Sequence, residues 1–101
     1  MTTVKLNNTE FVIENYNRST YFSGETMTSN ASCTVRVTDA SALSALITEN
    51  ITFIQIKNDG NIIYTLDNIN AKIDSVSEYL SGDHISTNIN MLFILEEEPN
   101  T

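Results

Sequence analysis

From Ile51 onward the chain alternates short runs of β-branched and aromatic residues with pairs of turn-forming ones. In ITFIQIKNDGNIIYTL, Asp59-Gly60 separates two such runs, and Asp-Gly favours a type I′ turn because both central residues need positive φ. With Asn58 opposite Asn61, counting outward pairs Ile56 with Ile63, Gln55 with Tyr64 and Phe53 with Leu66. A second two-residue turn is expected at Asp67-Asn68, whose residue types tolerate left-handed backbone, setting Leu66 opposite Ile69. A three-residue loop at Ser81-Gly82-Asp83 then pairs Leu80 with His84, Tyr79 with Ile85, Ile73 with Met91, Ala71 with Phe93 and Ile69 with Leu95. The segment SVSEYL, residues 75–80, has a competing reading as a short helical turn.

These registers collect Ile51, Phe53, Ile62, Tyr64, Leu66, Ile69, Ala71, Ile73, Tyr79, Ile85, Ile89, Met91, Phe93 and Leu95 on one face. Asn70, Lys72, Asp74, Glu78, Ser86, Asn88 and Asn90 fall on the other face of the last hairpin. A slip of one residue would exchange the faces, so the agreement of turns with side chains supports an antiparallel meander. Ile54, Ile56, Ile63, Leu92 and Ile94 then lie opposite the main core. Either N-terminal strands cover them or they form a contact patch for a partner subunit; this patch is the candidate interaction site.

Upstream, TDASALSALITEN predicts one short helix over about residues 39–49. Thr38 or Asp39 suits its N-cap, Leu43, Leu46 and Ile47 recur at helical spacing, and Asn50 can end it. CTVRV reads as a strand with Cys33, Val35 and Val37 on one face. VKL and FVI flank Asn7-Asn8-Thr9-Glu10 as a small hairpin. ENYNRSTYFSGETMTSNA lacks alternation and reads as a long loop or irregular edge, with Ser23-Gly24 marking a turn. Tyr16, Tyr21 and Phe22 in it are expected to close one end of the core, or to form a recognition surface. The fold class is therefore α+β and β-rich: one domain over residues 1–95, with an acidic tail over 96–101 that frays into solvent. No internal repeat is legible.

Charge narrows the classes of function. Thirteen acidic and five basic side chains leave a net charge of −8, and Lys5, Arg18, Arg36, Lys57 and Lys72 are scattered. Phosphate recognition needs clustered cations, so direct nucleic-acid binding is not expected, nor is attraction to anionic lipid. No stretch approaches the ~20 apolar residues of a membrane helix. A single cysteine, Cys33, permits no internal disulfide, and MTTVKLNNTE carries no apolar run of a signal peptide, so a reducing cytoplasm is expected. The Asn-x-Ser/Thr sequons at Asn7, Asn17, Asn30 and Asn50 mean little without secretion.

Catalytic chemistry finds little to work with. The one histidine, His84, lies in an expected turn, and Cys33 reads as a small buried hydrophobe. Metal motifs such as HExxH or paired CxxC do not occur. Asp59, Asp67 and nearby Asn oxygens suit calcium in type, yet hairpin turns favour the same residues. Asp74 and Glu78 fall on the solvated face, and Gly24, Gly60 and Gly82 each sit beside a turn signal, not in a phosphate loop. No catalytic residue, cofactor or metal is expected.

Taken together, NYNRSTYFSGETMTSNASCTVRV and ITFIQIKNDGNIIYTLDNINAKIDSVSEYLSGDHISTNINMLFI resemble small structural proteins of tailed bacteriophages. The resemblance rests on hairpin turns and strand alternation, covers most of the chain and carries no functional residue with it. It implies a multicopy, virion- or tail-associated part, found in the host cytoplasm during assembly and then in the virion. The expectation is a non-enzymatic protein–protein interaction module, a minor or auxiliary component of a phage particle, with a protein partner or a homo-oligomer. The alternative is a phage-encoded inhibitor of a host defence protein, offering its carboxylates to a nucleic-acid groove.

Overall fold

The structure is a computed structural model and describes residues 1–94; the expected Ile69–Leu95 pair and the acidic tail over 96–101 lie outside the described residues. The order is β1 (Thr2–Leu6), β2 (Thr9–Ser23), β3 (Thr26–Arg36), α1 (Ala40–Ile47), β4 (Ile51–Asn58), β5 (Asn61–Ser81) and β6 (His84–Phe93). The strands are antiparallel and close into a barrel in the order β1-β2-β3-β6-β5-β4. The chain is thus β-rich with one short helix, as expected; β4, β5 and β6 run as an antiparallel meander of three strands, and the sheet closes into a barrel. Two structural halves, β1–β3 and β4–β6, each run short, long, medium (5, 15 and 11 residues; 8, 21 and 10) and join at β1–β4 and β3–β6.

The local turn signals in the first and fourth strands hold. Asn7 takes φ 56° between Leu6 and Thr9, which pair, and Asp59-Gly60 takes φ 51° and 84° between Asn58 and Asn61, which pair. Beyond Asp59-Gly60, however, Ile63 is an extra residue in β5. Tyr64 therefore meets Ile56, Thr65 meets Gln55, and Asp67 meets Phe53. A bulge of one residue exchanges faces, so Ile54 and Ile56 join Tyr64 and Leu66 inside, whereas Ile62 is exposed.

Asp67-Asn68 does not reverse the chain. Asn68 does adopt φ 56°, and its N–H donates to Asp67 Oδ1 at 2.9 Å, but β5 continues through it. The irregularity falls where β5 changes partner: β4 pairs up to Ala71 and β6 from Ala71 onward. Here a turn-forming pair bends a long strand. At its far end the turn is two residues, Gly82-Asp83, with Ser81 opposite His84, so Tyr79 meets Ser86 and Leu80 meets Ile85. A bulge at Asp74 absorbs the difference, and Ile73–Met91 and Ala71–Phe93 pair as expected. Residues 75–80 are strand, not a helical turn, and Tyr79 is exposed.

The stretch expected as a loop is a long hairpin: β2 and β3 pair continuously from Asn15–Thr34 to Ser23–Thr26, with a bulge at Glu14. Its strands are rich in Thr, Ser and Asn, which suits a ribbon with water on both faces. The helix forms where expected. Asp39 caps it by accepting from Ser41 N at 3.0 Å, and Leu43 and Leu46 join the barrel core, while Ile47 remains exposed. Because β3 ends and β4 begins at the same end of the barrel, α1 closes that end. Asn7 fixes the chain leaving it, donating to Asn50 O at 2.9 Å and accepting from Thr52 N at 2.8 Å. No described helix is long and apolar enough to cross a membrane.

Candidate interaction surface

Strand pairing determines which backbone groups are left over. β1 pairs with β2 only as far as Val12, and β6 pairs with β3 only as far as Ser29. Among the described residues, β2 from Asn15 to Ser23 therefore has no strand on one side, and β3 before Ser29 has none on the other. The ribbon that results projects past Phe93 at the end opposite α1. Two-stranded ribbons hold little by themselves, so this arm has the least support in the molecule.

Alternation assigns its faces. Tyr16, Arg18, Thr20 and Phe22 continue the inner face of β2, opposite Cys33, Ala31, Ser29 and Met27 of β3. At the base this column is enclosed: Tyr16 packs on the core with its ring 5.6 Å from that of Tyr64, and Ser29 is buried. Burial raises the Tyr16 phenol above its usual range, and pushes the Cys33 thiol up to about 12, which keeps it protonated and unreactive. Arg18 lies over the Phe93 ring, 4.9 Å from its centre, and its Nε donates to Ser29 Oγ at 3.2 Å. Beyond Thr20 and Ser29 no described residue covers the face: Phe22 is 75% exposed and faces Met27, and Tyr21 on the outer side is 61% exposed. Of the three N-terminal aromatics expected to close the core, only Tyr16 does so.

The five residues expected as a contact patch are not brought together. Ile54 is fully buried and Ile56 is 7% exposed, both inside the barrel, so neither is available to a partner. Ile63, Leu92 and Ile94 are exposed, at 61%, 45% and 44%. Ile94 donates its N–H to Asn70 O at 2.7 Å, which leaves Ile63 seven positions along β5, roughly 20 Å away by strand rise. Sequence reasoning held Tyr21 and Phe22 as the second alternative, a recognition surface, but missed Met27 and the hairpin that carries all three. Its available signal was Ser-Gly flanked on both sides by Thr, Tyr, Phe and Met, a hairpin signal without alternation.

A second cluster ties β2 to β6 across β3. Bulged Glu14 accepts from Ser86 Oγ at 2.7 Å, with His84 Nε2 at 3.4 Å and Arg36 Nε at 3.9 Å from the same oxygen. The Ser86 hydrogen bond foremost, with His84 and Arg36, holds the Glu14 carboxyl below its usual range against opposing desolvation. His84 also meets Asp83, Nδ1 to Oδ1, at 3.2 Å. Ser86 is buried and donates to the carboxylate, not to the imidazole, so the group works as a latch between strands and lacks the geometry of an activated nucleophile. Among the described residues no three His, Cys, Asp or Glu side chains converge as a metal site.

Compared with known protein families and with curated protein sequences, the chain matches no family model and no curated relative.

Proposed function

We propose that the chain is a non-enzymatic protein–protein interaction module that serves as a small structural component of a phage particle. One observation carries the reading: the β2–β3 arm projects from a closed barrel with Tyr21 and Phe22 in solvent and, among the described residues, with no strand paired to either of its edges. Exposed aromatics and free strand edges are what contact surfaces use, through side-chain anchoring and main-chain pairing respectively. The resemblance in hairpin turns and strand alternation to tailed-phage structural proteins supplies the context, and the location that follows is the host cytoplasm during assembly and the virion afterwards.

The test is to express the tagged chain in infected, particle-producing cells and sediment the particles. The chain should travel with them, and replacing Tyr21 and Phe22 together by Ser should release it into the soluble fraction. Recovery with one soluble host protein and not with particles would favour instead an acidic inhibitor of that protein.

A further inference from the structure

The long strands of the two halves, β2 and β5, both run past their short neighbours and so both expose an edge. On β5 the edge over 72–81 carries Lys72, Asp74 and Glu78 and is bulged at Asp74. Charges and bulges are devices that keep a sheet from being extended by another chain. The β2 edge, NYNRSTYFS over 15–23, has no proline, no lysine and no bulge after Asn15. Its one charge is not a guard, because the Arg18 guanidinium is drawn inward over Phe93 and onto Ser29.

Resting on the assembly reading above, we infer that residues 15–23 of β2 pair antiparallel with the same residues of a second copy of this chain, across a twofold axis. Charge selects this occupant. Copies of a chain with net charge −8 repel except where charge is absent, and residues 15–34 hold only Arg18 and Glu25, a neutral segment. The opposite end of the barrel presents Asp39, Glu49, Glu78 and Asp83, so a head-to-tail contact has no comparable neutrality on both sides.

The edge is also self-complementary. Full overlap centres on Ser19 and sets Asn15 opposite Ser23, Tyr16 opposite Phe22, Asn17 opposite Tyr21 and Arg18 opposite Thr20. Arg18 never meets its own copy, and Tyr16 and Phe22 share the inner face, where an aromatic cross-strand pair is favourable. Exposed Tyr21 and Phe22 offer roughly 200–350 Å² per copy, below the ~800 Å² per partner of a standard interface. Backbone pairing along a nine-residue edge, ~30 Å long, must therefore supply the rest, and the dimer is concentration-dependent.

Sedimentation equilibrium of the purified chain up to millimolar concentration tests this. The expected mass rises to that of two chains. Ser19→Lys puts like charges face to face on the axis and should hold the mass at one chain, as should Ser19→Glu, each with an unchanged thermal melt. Mixing the two should restore the dimer as a heterodimer. Should either variant fail to fold, Tyr21→Lys, at a side chain already in solvent, takes its place and should also be monomeric. A wild-type mass of one chain throughout, or a dimer that Ser19→Lys and Tyr21→Lys leave intact, overturns the pairing. A wild-type monomer that still sediments with particles overturns self-pairing alone and leaves the assembly reading standing; a monomer absent from particles removes both.

Discussion

The β2–β3 and β5–β6 hairpins occupy equivalent places in the two halves of the barrel, yet they are built to different ends. Residues 72–81 of β5 pair with β6, which pairs in turn with β3, and carry three charges, and the Glu14–Ser86–His84 cluster fastens the start of β6 to β2. Among the described residues, the outer half of the β2–β3 arm has no third strand, and Tyr21 and Phe22 are exposed. Equal topology thus gives one hairpin that belongs to the body and one that reaches away from it. A third strand makes the first difference, since β6 pairs with β3 as far as Ser86, and side-chain choice along the free edge makes the second.

The largest effect should come from the body. Ile54→Ala removes a fully buried side chain from the barrel wall and should cost ~2–5 kcal/mol in denaturant titration. A cost near zero would return Ile54 to the surface and undo the register set by the Ile63 bulge. Next, Gly60→Val should cost about 1–2 kcal/mol at the tip of the β4–β5 hairpin. No atom lies within 4 Å of the added Cβ, so the whole effect comes from holding a β-branched residue at φ +84°.

A smaller effect should appear in acid. Glu14 is held below its usual value in the folded state, so its contribution to stability is present above pH ~4.5, the unfolded value, and is lost as pH falls through the lower folded value. Glu14→Gln should therefore be less stable than wild type near neutrality and converge on it in acid, as read from melting temperature against pH. A constant gap at all pH would mean that the carboxylate does not form the latch. Smallest of all, Phe22→Ala should change stability by no more than ~0.5 kcal/mol, because the side chain supports nothing within its own chain, while weakening association in sedimentation. A loss comparable to that of Ile54→Ala would place Phe22 in the core and remove the contrast between arm and body.

What could be read in advance was local. Asn7-Asn8, Asp59-Gly60, the Asp39 cap with Leu43 and Leu46, and the alternation Cys33, Val35, Val37 each express a requirement settled within a few residues. The bulges at Glu14, Ile63 and Asp74 have no compositional mark, and the Ile63 bulge alone exchanged Ile54 and Ile56 between surface and core. Closure through β1–β4 and β3–β6 joins residues distant in sequence, which no turn signal specifies. Of the expected patch, Leu92 and Ile94 are exposed near one another, and Ile63 is exposed but far from both. The arm escaped because a ribbon wet on both faces has no hydrophobic period to detect.

On the proposal above, the edge of β2 is the contact surface and the edge of β5 is not. Amide hydrogen exchange followed residue by residue across a range of protein concentrations tests it most directly. Amides of residues 15–23 should be poorly protected when dilute and gain protection as concentration rises, while those of 72–81 keep the same protection throughout. Protection at 15–23 that ignores concentration, or a concentration-dependent gain confined to 72–81, would contradict it.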